Sequence, residues 1–150
     1  MDNNLLPKSV YLASALSNSE LNCRIAKGIS KLGCYCYLPQ DDPLNKTLKK
    51  DGNAIAVRNR VQIKKCDYLI AVSQKMGLDT SWEVGYAHGL GKPCLLICSM
   101  ANVDDAQSSA MSYYSVNAVI TVPNWSSSSE VFAQKIYDAT RTWRKFIDSV

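Results

Sequence analysis

The sequence has a single histidine, no long apolar run and no basic N-terminal leader, and each of these shortages excludes a class of protein. His88 is the only imidazole in 150 residues, so the His and Cys spacing of a zinc site is missing. No stretch approaches the roughly 18 apolar residues that a membrane-spanning helix needs. The N-terminus has no basic start followed by an apolar run, as secretory signals have. We therefore expect a soluble, cytoplasmic protein without a metal.

Composition is that of an ordinary globular chain. Hydrophobic residues make up 47% of the sequence and charged residues 20%. A chain of 150 residues is long enough to bury one sizeable core without disulfides. Because the sequence contains no internal repeat and no linker, we expect a single domain spanning residues 1–150.

Cysteine is the one residue type that could suggest another class, since six cysteines in a short secreted chain would indicate disulfides. Here most of them fall inside apolar runs, which favours buried, reduced thiols. The six are Cys23, Cys34, Cys36, Cys66, Cys94 and Cys98.

Basic residues are concentrated in one segment of a chain whose net charge is +4. Such a cluster could attract phosphate or nucleic acid. No aromatic residues are interleaved with it, however, as single-strand binders require, so a solvated helix face is the favoured interpretation and no nucleic-acid partner is expected. The cluster consists of Lys46, Lys49, Lys50, Arg58, Arg60, Lys64 and Lys65.

Apolar runs alternate with helical patterns along the whole chain. The runs cover residues 10–13, 34–38, 68–72, 94–98 and 118–122, and the helical patterns cover 19–32, 53–65, 80–90 and 127–147. Unbroken apolar runs are typical of strands that are covered on both faces, as in a parallel sheet between helices. The order therefore predicts an α/β fold, a doubly wound, five-stranded parallel sheet with strand order 2-1-3-4-5.

Helix ends and faces support these boundaries. Gly33 and Gly91 follow the first and third helical patterns, where a left-handed residue is needed. The last pattern carries a stripe of apolar residues that is typical of a helix lying on a sheet. The stripe consists of Phe132, Ile136, Ala139, Trp143 and Ile147.

Ligands of such sheets bind beyond the carboxyl ends of the strands, where the winding reverses. The segments after Ala13 and Val72 should line that crevice, and the second leads to Glu83 near a helix start. Thr80 and Glu83 also fit a capping box, a spacing that recurs at 17–20 and 127–130. On this pattern alone, helix capping is the favoured role of Glu83.

A wider resemblance favours catalysis instead. The segment Asp-Thr-Ser-Trp-Glu-Val-Gly-Tyr-Ala-His-Gly-Leu-Gly-Lys-Pro, residues 79–93, resembles the signature of nucleoside 2-deoxyribosyltransferases. Supporting matches are Val-Tyr-Leu-Ala at 10–13, Leu-Pro-Gln-Asp at 38–41 and Cys-Asp-Tyr-Leu-Ile at 66–70. The resemblance spans residues 10 to about 111.

The resemblance implies an enzyme that cleaves, and in some members transfers, the N-glycosidic bond of nucleosides or nucleoside 5′-monophosphates without a cofactor. It makes Glu83 the nucleophile, Tyr11 the residue that orients it and Asp79 the candidate second carboxyl group. Two acids of the family fall on Asn59 and Gly77 in this chain. The expected substrate-binding residues are Ser14, Gln40, Asp41, Asn59, Gly77, Trp82, Ser109 and Met111.

The same resemblance bears on partners. In the family, a segment like Ser109–Met111 is donated by a neighbouring subunit, which implies a homodimer or a higher homo-oligomer. Ser at position 109 is typical of the nucleotide hydrolase relatives, whereas Asn is typical of the transferases, which also take a free base as acceptor. Trp82 fits either the core or a stacking surface for a base.

Two other functions stay open from the sequence. Ser73 and Ser81-Trp82 resemble part of the motif of Toll/interleukin receptor domains, which implies a signalling module that cleaves NAD or binds nucleotides. A catalytically silent protein that binds nucleotides or nucleic acid through the basic cluster is the other alternative. Cleavage of NAD would identify the first, and ligand binding without turnover the second.

Overall fold

The computed structural model describes residues 6–47, 51–102, 113 and 115–150. Within them, one parallel sheet has the order β2-β1-β3-β4-β5, which confirms the predicted fold and topology. The strands are β1 (Ser9–Ala13), β2 (Tyr35–Tyr37), β3 (Tyr68–Val72), β4 (Cys94–Ser99) and β5 (Ala118–Val122).

Helices cover both faces of this sheet. They are α1 (Ser19–Lys31), α2 (Pro43–Thr47), α3 (Gly52–Lys65), α4 (Leu78–Gly89) and α5 (Ser129–Asp148). Gly33 and Gly91 follow α1 and α4 with φ of 77° and 70°, as their positions in the sequence predicted. Of the described residues, none forms a helix long and apolar enough to span a membrane.

Successive strand residues point to opposite faces of the sheet, and both sets are buried. In β1, Val10 and Leu12 face α1 and α5, whereas Tyr11 and Ala13 face α3 and α4. The α1/α5 face is closed mainly by the predicted stripe of α5, of which Phe132 is fully buried. The stripe fails only at its last member, because Ile147 lies in the final turn of α5 and is 46% exposed.

α1 and α5 approach each other closely at Gly28. A Cβ atom on Gly28 would lie 2.7 Å from the carbonyl oxygen of Ser129 and 3.1 Å from the backbone nitrogen of Ala133. Only glycine therefore fits at this crossing.

The thiols behave as predicted. All six cysteines are free, and four of them are buried. Burial raises the pKa of Cys66 and Cys94 to about 11, which keeps these thiols protonated and unreactive at neutral pH.

Candidate active site

α4 begins earlier than the capping-box pattern predicts, and this removes the capping role of Glu83. Gly77 is the N-cap and makes no side-chain capping bond, so Thr80 lies inside the first turn and Glu83 in the second. A side chain in the second turn does not reach the free backbone N–H groups at the helix start. The capping interpretation of Glu83 is therefore wrong.

The other two capping boxes are also not formed as the sequence suggested. The N-cap of α1 is Asn18, without a side-chain capping bond, and not Ser17. The N-cap of α5 is Ser128, whose side chain accepts a hydrogen bond from the backbone nitrogen of Val131. Each N-cap lies one residue later than the capping box predicts, because the neighbouring residues in these runs are also small and polar and can serve as the N-cap.

Glu83 lies on the face of α4 that packs against the sheet. The buried residues of α4 are Thr80, Glu83, Val84 and Ala87, which have the spacing of one helix face. Such a position is normally apolar, because burial of an ionised carboxylate costs about 3 kcal/mol or more unless hydrogen bonds or a paired charge compensate it. Glu83 is only 9% exposed, so its carboxyl group needs an explanation other than packing.

The partner of this carboxyl group comes from the middle of β1. The hydroxyl of Tyr11 donates a hydrogen bond of 2.6 Å to Glu83 Oε1, and Tyr11 is fully buried. Burial, followed by the neighbouring charge of Glu83, raises the pKa of Tyr11 far above its ordinary value. Tyr11 therefore stays protonated and acts as a permanent donor to Glu83.

The surroundings of Glu83 raise its pKa to about 7. Burial is the main cause, the negative charge of Asp79 adds to it, and the hydrogen bond from Tyr11 opposes it. Asp79 lies four residues before Glu83 in α4, so the two side chains share one side of the helix, with Cβ atoms about 6 Å apart. Tyr11 thus contacts Glu83, whereas Asp79 is exposed and acts on Glu83 through its charge, so its catalytic role stays a prediction.

The loops that follow β1 and β3 meet beside this site, as the topology predicted. Asn18 is buried and donates from Nδ2 to the carbonyl oxygen of Gln74 at 2.7 Å and to Ser14 Oγ at 3.2 Å. Lys75, in the loop after β3, has a φ of 50°, an unusual value for a residue with a side chain. Strained backbone of this kind is concentrated at functional sites.

Sequence reasoning missed a second buried carboxylate, Asp42. The rings of Tyr11 and Tyr37 stack at 5.3 Å, because the two residues are register partners on β1 and β2. The Tyr37 hydroxyl donates to Asp42 Oδ2 at 2.6 Å, and Arg58 Nε donates to the same oxygen at 2.9 Å. Burial opposes ionisation of Asp42, but the hydrogen bonds from Tyr37, Leu44 and Arg58 together hold its pKa below the ordinary value.

One sequence signal could have found this network. Arg58 belongs to the basic cluster that was interpreted as a solvated helix face, and for Arg58 that interpretation is wrong, since its side chain is 30% exposed and paired with Asp42. Lys64 and Lys65 are exposed, as that interpretation requires, and Lys49 and Lys50 lie outside the described residues. The available clue was an arginine, whose guanidinium suits pairing with a carboxylate, on a helix that follows an Asp-Asp-Pro sequence.

The residues expected on the base or sugar side lie near the end of β2. Gln40 accepts a hydrogen bond from Asn22 Nδ2 at 3.0 Å and donates to the carbonyl oxygen of Ser19 at 3.3 Å. Asp41 is exposed and lines a groove of about 350 Å³ at the outer edge of β2, together with Tyr35 and Arg58. Neither Tyr11 nor Glu83 lines that groove, so a substrate contact of Asp41 stays a prediction.

The remaining predicted residues occupy three different settings. Asn59 Oδ1 accepts a hydrogen bond from Asn45 at 3.0 Å, and Gly77 lies exposed at the start of α4. Trp82 is 54% exposed and stacks on Tyr86 at 5.0 Å, which excludes a core role and leaves a stacking surface. Ser109 and Met111 lie outside the described residues.

Comparison with known proteins agrees with this geometry. The strand order makes this an α/β protein with a doubly wound parallel sheet, a class in which ligands bind at the carboxyl ends of the strands. The family model described as nucleoside 2-deoxyribosyltransferase matches residues 10–119. The chain belongs to this family, which supports an enzyme of the glycosyl transferase or hydrolase class.

Solved structures share the fold at low sequence identity. The CMP N-glycosidase BcmB of Clostridium botulinum is 19% identical, and the match covers 87% of this chain and 98% of that one with a TM-score of 0.57. A fusion protein carrying residues 181–211 of the yeast Spc42 trimeric coiled coil is 14% identical, with coverage of 95% and 81% and a TM-score of 0.55. No curated protein matches the chain by sequence.

Proposed function

We propose that the protein cleaves the N-glycosidic bond of nucleosides or nucleoside 5′-monophosphates, with Glu83 as the nucleophile. The observation that carries the proposal is the carboxyl group of Glu83 on the sheet-facing side of α4, with the Tyr11 hydroxyl at 2.6 Å. A family match over residues 10–119 gives the class of bond. The CMP N-glycosidase with the same fold is the reason to include nucleoside monophosphates among the substrates.

The chemistry has two steps. In the first, a carboxylate oxygen of Glu83 forms a bond to the anomeric carbon, the bond from that carbon to the base breaks, and its electron pair leaves with the base nitrogen. A proton must reach the departing base, and Asp79 is the proposed donor. In the second step, water or a free base attacks the same carbon and releases the Glu83 carboxylate, with net retention.

Tyr11 favours the ionised form of Glu83 against the effect of burial. Its hydrogen bond to Oε1 stabilises the ionised form and holds that oxygen still, so the other oxygen is left for attack. Since attack requires the ionised form of Glu83, kcat/KM should rise with pH through about 7. Buffers spanning pH 5 to 9 would show this profile.

A substrate panel tests the proposal. The purified protein is incubated with ribo- and deoxyribonucleosides, their 5′-monophosphates and NAD, with and without a second free base, and the products are separated by chromatography. Glu83→Gln should reduce turnover by at least about 1,000-fold, because Gln is a poor nucleophile. The matched control is Glu130→Gln, which changes an exposed glutamate on α5 and should leave turnover intact.

The products separate the alternatives. A new nucleoside formed only with an added base means transfer, and free base from a monophosphate alone means hydrolysis. A nucleoside with fluorine at the 2′ carbon of its sugar should slow both steps, because fluorine destabilises the positive charge that develops at the anomeric carbon. A sugar adduct on the peptide that contains Glu83 should then be seen by mass spectrometry. Equal turnover by wild type and Glu83→Gln would contradict the role of Glu83 as the nucleophile.

The subunit number belongs to the same proposal. If residues 109–111 complete a neighbouring site, the active form is at least a dimer. Light scattering of the purified protein, combined with activity measured over a dilution series, tests this, because activity per chain should fall as a dimer dissociates. Constant activity in a monomeric sample would contradict a shared site.

A further inference from the structure

Tyr37 is the only side chain among the described contacts that joins the Glu83 site to a second buried carboxylate. Its ring stacks on Tyr11 at 5.3 Å with an angle of 27° between the planes. Its hydroxyl lies 2.6 Å from Asp42 Oδ2 and accepts a weaker hydrogen bond from Asn45 at 3.4 Å. Each end of Tyr37 therefore has a fixed partner.

Asp42 is itself held on several sides. Its Oδ2 accepts from Arg58 Nε at 2.9 Å as well as from Tyr37, and its Oδ1 accepts from the backbone nitrogen of Leu44 at 2.8 Å. A carboxylate with this many donors is fixed in position and stays ionised. Tyr37 is thus bonded to an immobile acceptor.

Buried carboxylates are rare in the described chain, and the two that exist are connected. Asp42 and Glu83 are its buried acidic residues, and the Tyr11–Tyr37 stack lies between them. The Asp42–Arg58 ion pair is only partly buried, since the Arg58 side chain is 30% exposed, and such pairs contribute little net stability. The pair does fix the oxygen that Tyr37 binds, because Arg58 Nε and the Tyr37 hydroxyl donate to the same Asp42 Oδ2.

We infer that Asp42, fixed by Arg58, is a positioning residue of the catalytic site: it holds the Tyr37 ring against Tyr11 and so fixes the Tyr11 hydroxyl on Glu83. The inference rests on the proposed function for its catalytic meaning, but its structural claim stands without it. The site residues that the family resemblance implies do not include Tyr37, Asp42 or Arg58.

The physical step is orientation of a phenol. The Tyr11 hydroxyl lies in the plane of its ring, so the direction of its hydrogen bond follows the tilt of the ring, and one face of that ring rests on Tyr37. Without its bond to Asp42, Tyr37 gains freedom at χ1 and χ2, and the Tyr11 hydrogen bond lengthens on average. That hydrogen bond lowers the pKa of Glu83, so a looser bond raises it.

Nuclear magnetic resonance titration of the Glu83 side-chain carboxyl carbon tests the inference directly. Among described residues, the titratable groups that act on Glu83 are Tyr11 of β1 and Asp79 of α4, and neither is changed in the variants. Tyr37→Phe and Asp42→Asn should each raise the pKa of Glu83 by about half a unit or more. Unchanged titration in both folded variants would overturn the inference.

Tyr68→Phe is the matched control. Tyr68 is a buried tyrosine on β3, its side chain belongs to the α1/α5 face, and its hydroxyl has no hydrogen-bond partner among the described residues. The substitution removes the same atom as Tyr37→Phe and should leave the pKa of Glu83 unchanged. An equal shift in Tyr68→Phe would mean that loss of any buried hydroxyl loosens the site, which also overturns the inference.

A double variant shows whether Asp42 acts through Tyr37. In the Tyr37→Phe background, Asp42→Asn should shift the pKa of Glu83 no further, because the connecting bond is already gone. Additive shifts would place the influence of Asp42 on another route and contradict the inference. Since Tyr37→Phe retains the bonds of Asp42 to Arg58 and Leu44, it keeps the test valid even if Asp42→Asn does not fold.

Kinetics add a readout that distinguishes this inference from the proposed function. If the protein turns over nucleotides, Tyr37→Phe should lower kcat about 5- to 10-fold with KM unchanged and move the rising limb of the pH profile upward. If the wild-type protein turns over nothing, the proposed function fails, yet the titration still decides the role of Asp42. A rise in KM alone would make Tyr37 a substrate contact and not part of a positioning chain.

Discussion

The two faces of the sheet bury different kinds of side chain. On the α1/α5 face, the described residues include no buried charged group, and Phe132 packs among aliphatic residues. The α3/α4 face buries Glu83 and Asp42, with two stacked tyrosines between them. One strand supplies both faces, since Leu12 and Tyr11 are neighbours on β1.

The two faces contribute to stability in different ways. Apolar burial stabilises the fold in proportion to the area removed from water, whereas a buried carboxylate with a raised pKa opposes folding at neutral pH. Both faces bury an apolar cluster, but only the α3/α4 face also carries the cost of buried carboxyl groups. Four sets of substitutions test whether the two faces differ in this way.

The largest expected effect lies on the α1/α5 face. Phe132→Ala removes a fully buried aromatic ring and should lower the free energy of unfolding by about 4 kcal/mol, because a cavity remains. Urea denaturation followed by circular dichroism measures the loss. The pKa of Glu83 in the folded variant should stay at about 7, and a shift of that pKa would show that the two faces are coupled.

Glu83→Gln should stabilise the protein at neutral and higher pH, in contrast to the loss of stability expected for Phe132→Ala. The pKa of Glu83 is about 7 in the folded protein against an ordinary 4.5, so between these values the folded state binds more protons than the unfolded state. Stability from this group is therefore fully present below pH 4.5 and is lost as pH rises through about 7. At pH 8, Glu83→Gln should be more stable than wild type by about 2 to 3 kcal/mol.

Denaturation at pH 4 and pH 8 checks this prediction. The stability difference between Glu83→Gln and wild type should shrink toward zero at pH 4, where both side chains are neutral in both states. Glu130→Gln, at an exposed glutamate, should show no such gain at pH 8. Equal stability of wild type and Glu83→Gln at pH 8 would mean that the burial of Glu83 is fully compensated.

A pair of glycine substitutions compares the faces at the level of helix packing. Gly28→Ala should destabilise the protein by about 2 kcal/mol, because the new Cβ would lie 2.7 Å from the Ser129 carbonyl oxygen. Gly85→Ala, in α4, meets nothing within 4 Å and should stabilise the protein by about 0.5 to 1 kcal/mol through helix propensity. Thermal unfolding of both variants would show the opposite signs, and a stabilising Gly28→Ala would refute the close crossing.

The sequence predicted most of the fold because its signals were local and repeated. The apolar runs gave all five strands within two residues at either end, and Gly33 and Gly91 marked two helix ends. Helix starts were predicted less well, since runs such as 126–129 offer several hydroxyls that could serve as the N-cap. The choice among them depends on packing that a local pattern does not contain.

The candidate site was predicted only in part, for a different reason. Glu83 and Tyr11 came from the family resemblance, although the spacing of Thr80, Glu83, Val84 and Ala87 already indicates a buried acid on a helix face. Asp42 and Arg58 were missed because their pairing joins positions 16 residues apart on different elements. No periodicity reports such a contact, and only the three-dimensional placement of α3 beside the turn before α2 creates it.

The smallest predicted effect concerns backbone strain beside the site. Lys75, in the loop after β3, has a φ of 50°, a region that Asn tolerates better than Lys because its short side chain bonds locally. Lys75→Asn should therefore stabilise the protein by about 0.5 kcal/mol. The matched control Lys27→Asn, on the exposed side of α1, should destabilise it by a similar amount, since Asn is the poorer helix former. Stabilisation in both variants, measured by urea denaturation, would point to a charge effect instead; a gain at position 75 alone would show that this face stores strain next to its carboxylates.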